Sequence, residues 1–100
     1  MPAYSITEVE IMDEAGARRY RELARAAITQ YGGRYLVLAA TPAVAEGEWP
    51  PGGRVVIIEF ASMNQLRAWD DSPEYAPARA LARTALRRRL LFVEGTDEPL

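Results

Sequence analysis

A chain of 100 residues with 49% apolar and 26% charged residues makes one globular domain, and its net charge of −2 argues against a general nucleic-acid binder, which carries a basic excess. All twelve cations are arginine, which excludes Schiff-base chemistry and the lysine of a phosphate loop. The absence of histidine and cysteine excludes a Ser-His-Asp triad, thiolate nucleophiles, disulfides, histidine-ligated haem and the usual zinc sets.

Residues Ala3 to Met12 read as a first strand, with Tyr4 and Ile6 on one face and Val9 and Ile11 on the other, and a bulge or twist expected near Thr7. Asp13 and Glu14 suit a helix start, where a carboxylate complements free backbone amides. Ala17, Tyr20, Ala24, Ala27, Ile28 and Tyr31 then recur at helical spacing, and Gly32 and Gly33 end the helix. RYLVLAA is the second strand. The stretch from Thr41 to Gly53, rich in proline and glycine around Trp49, is a long excursion of the kind that carries function or covers something. RVVIIEF, Arg54 to Phe60, is the third strand. Ser62 and Gln65 form a capping box that opens a short helix through Leu66 and Trp69. Ser72 and Pro73 restart a helix as N-cap and first-turn proline, with Tyr75, Ala78, Ala82, Ala85 and Leu86 inward and Arg87, Arg88 and Arg89 at its C-terminal end. LLFVEG is the last strand, and residues 96–100 form a polar, frayed tail.

This order predicts an α+β, ferredoxin-like βαββαβ domain spanning residues 1–100, with an antiparallel four-stranded sheet and both main helices on one face. A sheet with one wet face alternates apolar and polar residues, yet LVLAA and VVII are continuous apolar runs. A homodimer follows as the expectation, its two open sheet faces packed together and any ligand cavity enclosed between sheet and loops. The N-terminal MPAYSITEVEIMDE has no basic stretch leading an apolar core, and no apolar run approaches the ~20 residues of a membrane span, so a cytoplasmic protein without membrane contact is expected.

GGRYLVLAA, EGEW, RVVIIEF, AWDDSPEY and LLFVEG, in that order, resemble successive signatures of the small bacterial family called domain of unknown function 1330, within the dimeric α/β-barrel superfamily. The resemblance covers nearly the whole chain. It is specific for fold and not for chemistry, because the family name assigns no activity. It implies kinship with cofactor-independent monooxygenases acting on polycyclic aromatics, with muconolactone isomerases and with haem-dependent enzymes, of which the missing histidine argues against the last. It carries over onto Gly33, Glu46, Gly47, Trp49, Glu59, Phe60, Trp69, Ser72, Pro73, Tyr75 and Gly95. An arginine of the family's last helix falls on Arg83, with Arg79 as the competing assignment.

Glu59, between Ile58 and Phe60, must be paired, hydrogen-bonded or shifted toward its neutral form. It is either a general base with a raised pKa or the structural partner of an arginine. Trp49, Trp69, Tyr75 and Tyr4 either line a flat apolar pocket or pack the core, and Trp49 suits a lid or a dimer contact. Glu46, before Gly47, is a second carboxylate candidate or a turn-bonding group. Asp70, Asp71 and Glu74 surround a helix start, which accounts for them without a metal. Arg79, Arg83 and Arg87 at four-residue intervals form a basic stripe that meets either a carboxylate ligand or solvent. The chain is therefore read as a homodimer binding a small hydrophobic or aromatic metabolite, without metal, cofactor or nucleic acid. Two functions stand against each other. One is a cofactor-independent monooxygenase or isomerase with Glu59 as base, Arg83 and Tyr75 as orienting groups, and Tyr4, Glu46, Trp49, Trp69, Ser72 and Arg79 about the ligand. The other is a non-catalytic binding or dimerisation module.

Overall fold

The computed structural model describes residues 1–97, so part of the expected frayed tail, residues 98–100, lies outside the described residues. Four strands and three helices follow the expected order: β1 (Ala3–Ile11), α1 (Glu14–Gln30), β2 (Arg34–Ala40), β3 (Arg54–Phe60), α2 (Met63–Asp70), α3 (Ala76–Ala85) and β4 (Leu86–Glu94). The sheet order is β2-β3-β1-β4, and every neighbouring pair is antiparallel. This is the ferredoxin-like fold, in which each helix-containing crossover skips one strand.

The register sorts residues into rows, because directly opposed residues share a face of the sheet. Tyr4 stands between Val93 and Glu59, Ile6 between Leu91 and Ile57, and Glu8 between Arg89 and Val55; these rows form the outer face. Ser5 between Phe92 and Ile58, Thr7 between Leu90 and Val56, and Val9 between Arg88 and Arg54 form the inner face, toward the helices. Alternation in β1 is unbroken, so the bulge expected near Thr7 does not occur. The irregularities lie in β2 instead, where Tyr35, Val37 and Ala40 oppose Ile58, Ile57 and Val55 with an extra residue between each pair. A one-residue slip changes the face that follows. Ala39, at the second irregularity, has φ 52. No residue of β2 is buried in the protomer, and Leu36 and Leu38 are exposed, so burial within the protomer does not account for its apolar run.

The helix layer is held close by small residues. Ala17, Ala24 and Ala27 of α1 and Ala78, Ala82 and Ala85 of α3 are buried, and the two helices pack on each other. Gly32 takes the left-handed cap conformation at φ +77, and the Gly33 N–H returns to the Ile28 carbonyl at 2.9 Å. A Cβ on Gly33 would lie 2.6 Å from the Phe60 ring, so this helix-to-strand turn depends on glycine. Between the layers Phe60, Trp69 and Tyr75 form an aromatic series with centroids 5.2 and 4.3 Å apart.

Three local expectations need correction. Asp13 stands at the N-cap of α1, but its side chain makes no capping bond. Ser62 accepts the Gln65 N–H at 3.1 Å, but the Gln65 amide reaches the Tyr31 carbonyl rather than closing a capping box. The last helix begins at Ala76 with Pro77 in its first turn, and it ends at Ala85 rather than running through the arginines. Arg87, Arg88 and Arg89 belong to β4, where the sheet register with Glu10, Val9 and Glu8 outweighs the attraction of cations to a helix C-terminus.

Candidate functional site

The cavity lies between the inner sheet face and the helices, not between sheet and loops, and has a volume of about 310 Å³. The sheet supplies its floor through β1, β3 and β4; Tyr20 of α1, Trp69 of α2 and Tyr35 of β2 wall it in. Most of the lining is apolar, as expected of a cleft between two packed layers.

Its polar corner is built on Arg88, which the strand period of β4 turns inward between outward-facing Arg87 and Arg89. One terminal nitrogen of Arg88 donates to the Tyr20 hydroxyl at 3.0 Å and to the Tyr75 hydroxyl at 3.1 Å, and the two hydroxyls are 2.7 Å apart. Arg88 also lies over the Tyr20 ring, 5.4 Å from its centroid. Burial pushes the Tyr20 pKa far up, with the neighbouring Tyr75 adding to it and Arg88 opposing, so Tyr20 is a neutral hydrogen-bonding group at neutral pH. Burial acts to lower the Arg88 pKa, but its interactions with Tyr20 and Tyr75 outweigh that and hold it raised. Tyr35 is raised by burial, against the effect of Arg25, which stands over its ring.

Ser72 organises the wall. Its hydroxyl donates to the Trp69 carbonyl at 2.7 Å and accepts the Tyr75 N–H at 3.1 Å, tying the end of α2 to the turn before α3. Ser72, Trp69 and Tyr75 are thereby brought together beside the cavity. The Trp69 indole N–H and the Ser5 hydroxyl, both buried and both on lining residues, have no hydrogen-bond partner among the described residues.

The other candidates lie elsewhere. Glu59 is on the outer face, where its carboxylate accepts from Arg34 Nε at 2.7 Å. The hydrogen bond from Arg34 holds its pKa below the usual carboxylate value, with partial burial opposing and Tyr4 assisting, so of its two expected roles Glu59 takes the geometry of an arginine's partner and not the raised pKa of a general base. Tyr4 stands in the same outer row as Glu59, which contributes, after burial, to raising its pKa. Arg79 pairs with Asp70 at 3.2 Å, lies over the Tyr75 ring and is not among the cavity-lining residues. Arg83 is exposed in the last turn of α3. The expected stripe of Arg79, Arg83 and Arg87 is broken, because Arg87 is in β4 and faces Glu10 at 3.8 Å. Glu46 and Trp49 are exposed in the long connection, where Trp49 lies against Gly53. Glu74 accepts from the Tyr31 hydroxyl at 2.6 Å.

Sequence reasoning missed Tyr20, Tyr35, Ser5 and Arg88 as site residues. The signal for Arg88 was available: starting the strand at Leu86 makes Leu86, Arg88, Leu90 and Phe92 one alternating face. Tyr20 carried no separate signal, since its helical spacing equally fits core packing.

A ferredoxin-like domain with a partly open, mostly apolar cavity and an arginine-tyrosine corner is the class of protein that fold and site define. The chain belongs to the family described as Domain of unknown function (DUF1330), whose model matches residues 2–96. No curated protein matches it. Among solved structures it is similar to the RPA0582 protein of unknown function from Rhodopseudomonas palustris, with 15% identity, a TM-score of 0.79, and coverage of 97% of this chain and 84% of that one. It is also similar to SnoaB, a cofactor-independent oxygenase from Streptomyces nogalater, with 11% identity, a TM-score of 0.71, and coverage of 97% and 95%. A third is a dimeric protein of unknown function and ferredoxin-like fold from Bacteroides fragilis, with 12% identity, a TM-score of 0.65, and coverage of 94% and 96%. At these identities the likeness establishes the fold. No described helix is long and apolar enough to cross a membrane.

Proposed function

We propose that the chain forms a homodimer through its outer sheet faces and that its inner cavity binds a small, flat, largely apolar metabolite, which it converts without a cofactor as an oxygenase or isomerase. The observation that carries this reading is the cavity of about 310 Å³, apolar over most of its wall and polar where Arg88 and Tyr20 stand. That volume is at the small end for ligand sites and suits a molecule of roughly one or two rings. Trp69 and Tyr20 contact the ligand; Tyr75 and Ser72 hold them in place. Arg88 takes the orienting role expected of Arg83, or of Arg79 as the competing assignment.

Support for the dimer comes from the outer face. Leu91, Ile6, Ile57 and Val37 form one continuous apolar row, bracketed by the Arg34–Glu59 pair on one side and the Arg89–Glu8 and Arg87–Glu10 pairs on the other. Such a band, with ion pairs at its rim, suits the same face of a second copy. The reaction class rests on likeness of fold to SnoaB, an argument by analogy.

A second reading, a binding module without turnover, is favoured by the absence of any carboxylate or imidazole among the described cavity-lining residues, which leaves no conventional general base. Oxygen uptake and product analysis with a panel of hydroxylated one- and two-ring aromatics tests both. Turnover by the wild type that falls in Tyr75→Phe supports the enzyme; saturable binding with no product from any compound supports the module and overturns the enzyme.

A further inference from the structure

Resting on the reading of the cavity as a small-molecule site, we propose that its ligand carries one anionic oxygen group, a phenolate, enolate or carboxylate, received by Arg88 and Tyr20. Five arginines meet carboxylates: Arg19, Arg34, Arg79, Arg87 and Arg89 pair with Glu22, Glu59, Asp70, Glu10 and Glu8. Arg88, far less exposed than its two neighbours in β4, has no carboxylate partner among the described residues and meets only phenols. A half-buried cation held by neutral groups is an incomplete arrangement, and an anion completes it.

The hydrogen bonds count the same way. Each phenol oxygen accepts one N–H from Arg88, and the 2.7 Å contact between the hydroxyls consumes one of their two protons. The second hydroxyl proton has no acceptor among the described residues. The Trp69 N–H and the Ser5 hydroxyl are two further buried groups without partners. Arg88 can only donate and one phenol proton is spare, so the corner presents donors in excess of acceptors. Charge agrees with this: α1 adds Arg21 and β3 adds Arg54 to the lining, β2 contributes Tyr35, and no lining residue is an aspartate or glutamate. A ligand with an acidic hydroxyl would release its proton to water and bind as the conjugate base, so the cavity would lower the ligand's own pKa without a protein base.

Calorimetric binding of three probes of similar shape tests this: 4-nitrophenol, which titrates near neutrality, its neutral methyl ether, and 4-nitrobenzoate. Phenolate should bind roughly 10- to 100-fold tighter than the ether, the range of a charge-assisted hydrogen bond, and its visible absorbance should persist to lower pH when bound. Arg88→Met should abolish the preference while leaving the ether bound. Should that variant fail to fold, Tyr20→Phe, which removes a single donor, should reduce it several-fold. Preference for 4-nitrobenzoate alone identifies the anion as a carboxylate. Equal binding of the ether and both anions overturns the anion site and leaves the cavity reading intact; binding of none of the three overturns both.

Discussion

The three consecutive arginines of β4 divide between the two faces of one sheet and meet opposite chemistries. Arg87 and Arg89 face outward onto Glu10 and Glu8 of β1, and their charges are matched within the sheet. Arg88 faces inward onto two tyrosines and a cavity with no carboxylate in its lining. The outer face is electrostatically complete and apolar at its centre, as a surface for another protein face should be. The inner face is closely packed around a space whose charge is unmatched, as a small-molecule site should be.

Four substitutions break or sharpen that contrast. The largest effect should come from Trp69→Ala, which removes the largest fully buried side chain and one wall of the cavity; about 3–5 kcal/mol of stability should be lost in denaturant unfolding. On the outer face, Ile57→Arg places a charge in the middle of the apolar row. Sedimentation should show the proposed dimer weakened by at least about 100-fold, ~3 kcal/mol, with the protomer still folded. Gly33→Ala forces a methyl group against the Phe60 ring and Ile28, and should cost about 1–3 kcal/mol with the oligomeric state unchanged. Glu59→Gln should have the smallest effect, because the pair with Arg34 is largely exposed on the Arg34 side. Its sign with pH is fixed. A carboxylate whose pKa is lowered by folding adds stability above its unfolded pKa and loses it as pH falls through the lower folded value. The stability difference between wild type and Glu59→Gln should therefore be present at neutral pH and close below about pH 4.

Strand and helix order was legible because the chain changes period cleanly and marks most changes with glycine, proline or a capping serine. The face assignments of Tyr4, Ile6, Val9 and Ile11 follow directly from alternation. The site was less legible. Glu59 attracted attention as a charge among apolar neighbours, but its meaning depended on Arg34, 25 positions away, coming into register across β2 and β3. Arg88 was hidden inside a run of three arginines that also suits the end of a helix. The pairing of Leu86 with Ile11 decides between the two, because it starts the strand before that run. The contacts that unite Tyr20, Tyr75 and Arg88 span up to 68 positions, and no local pattern encodes them.

The central claim is that one sheet serves two roles, with its outer face joining two copies and its inner face enclosing an anion. A native mass spectrum of the freshly purified protein, recorded alone, with 4-nitrophenolate and with 4-nitrobenzoate, tests both roles at once. The account predicts a dimer that takes up one of these anions per protomer. A monomer would contradict the role of the outer face, and a dimer that takes up none would contradict that of the inner one.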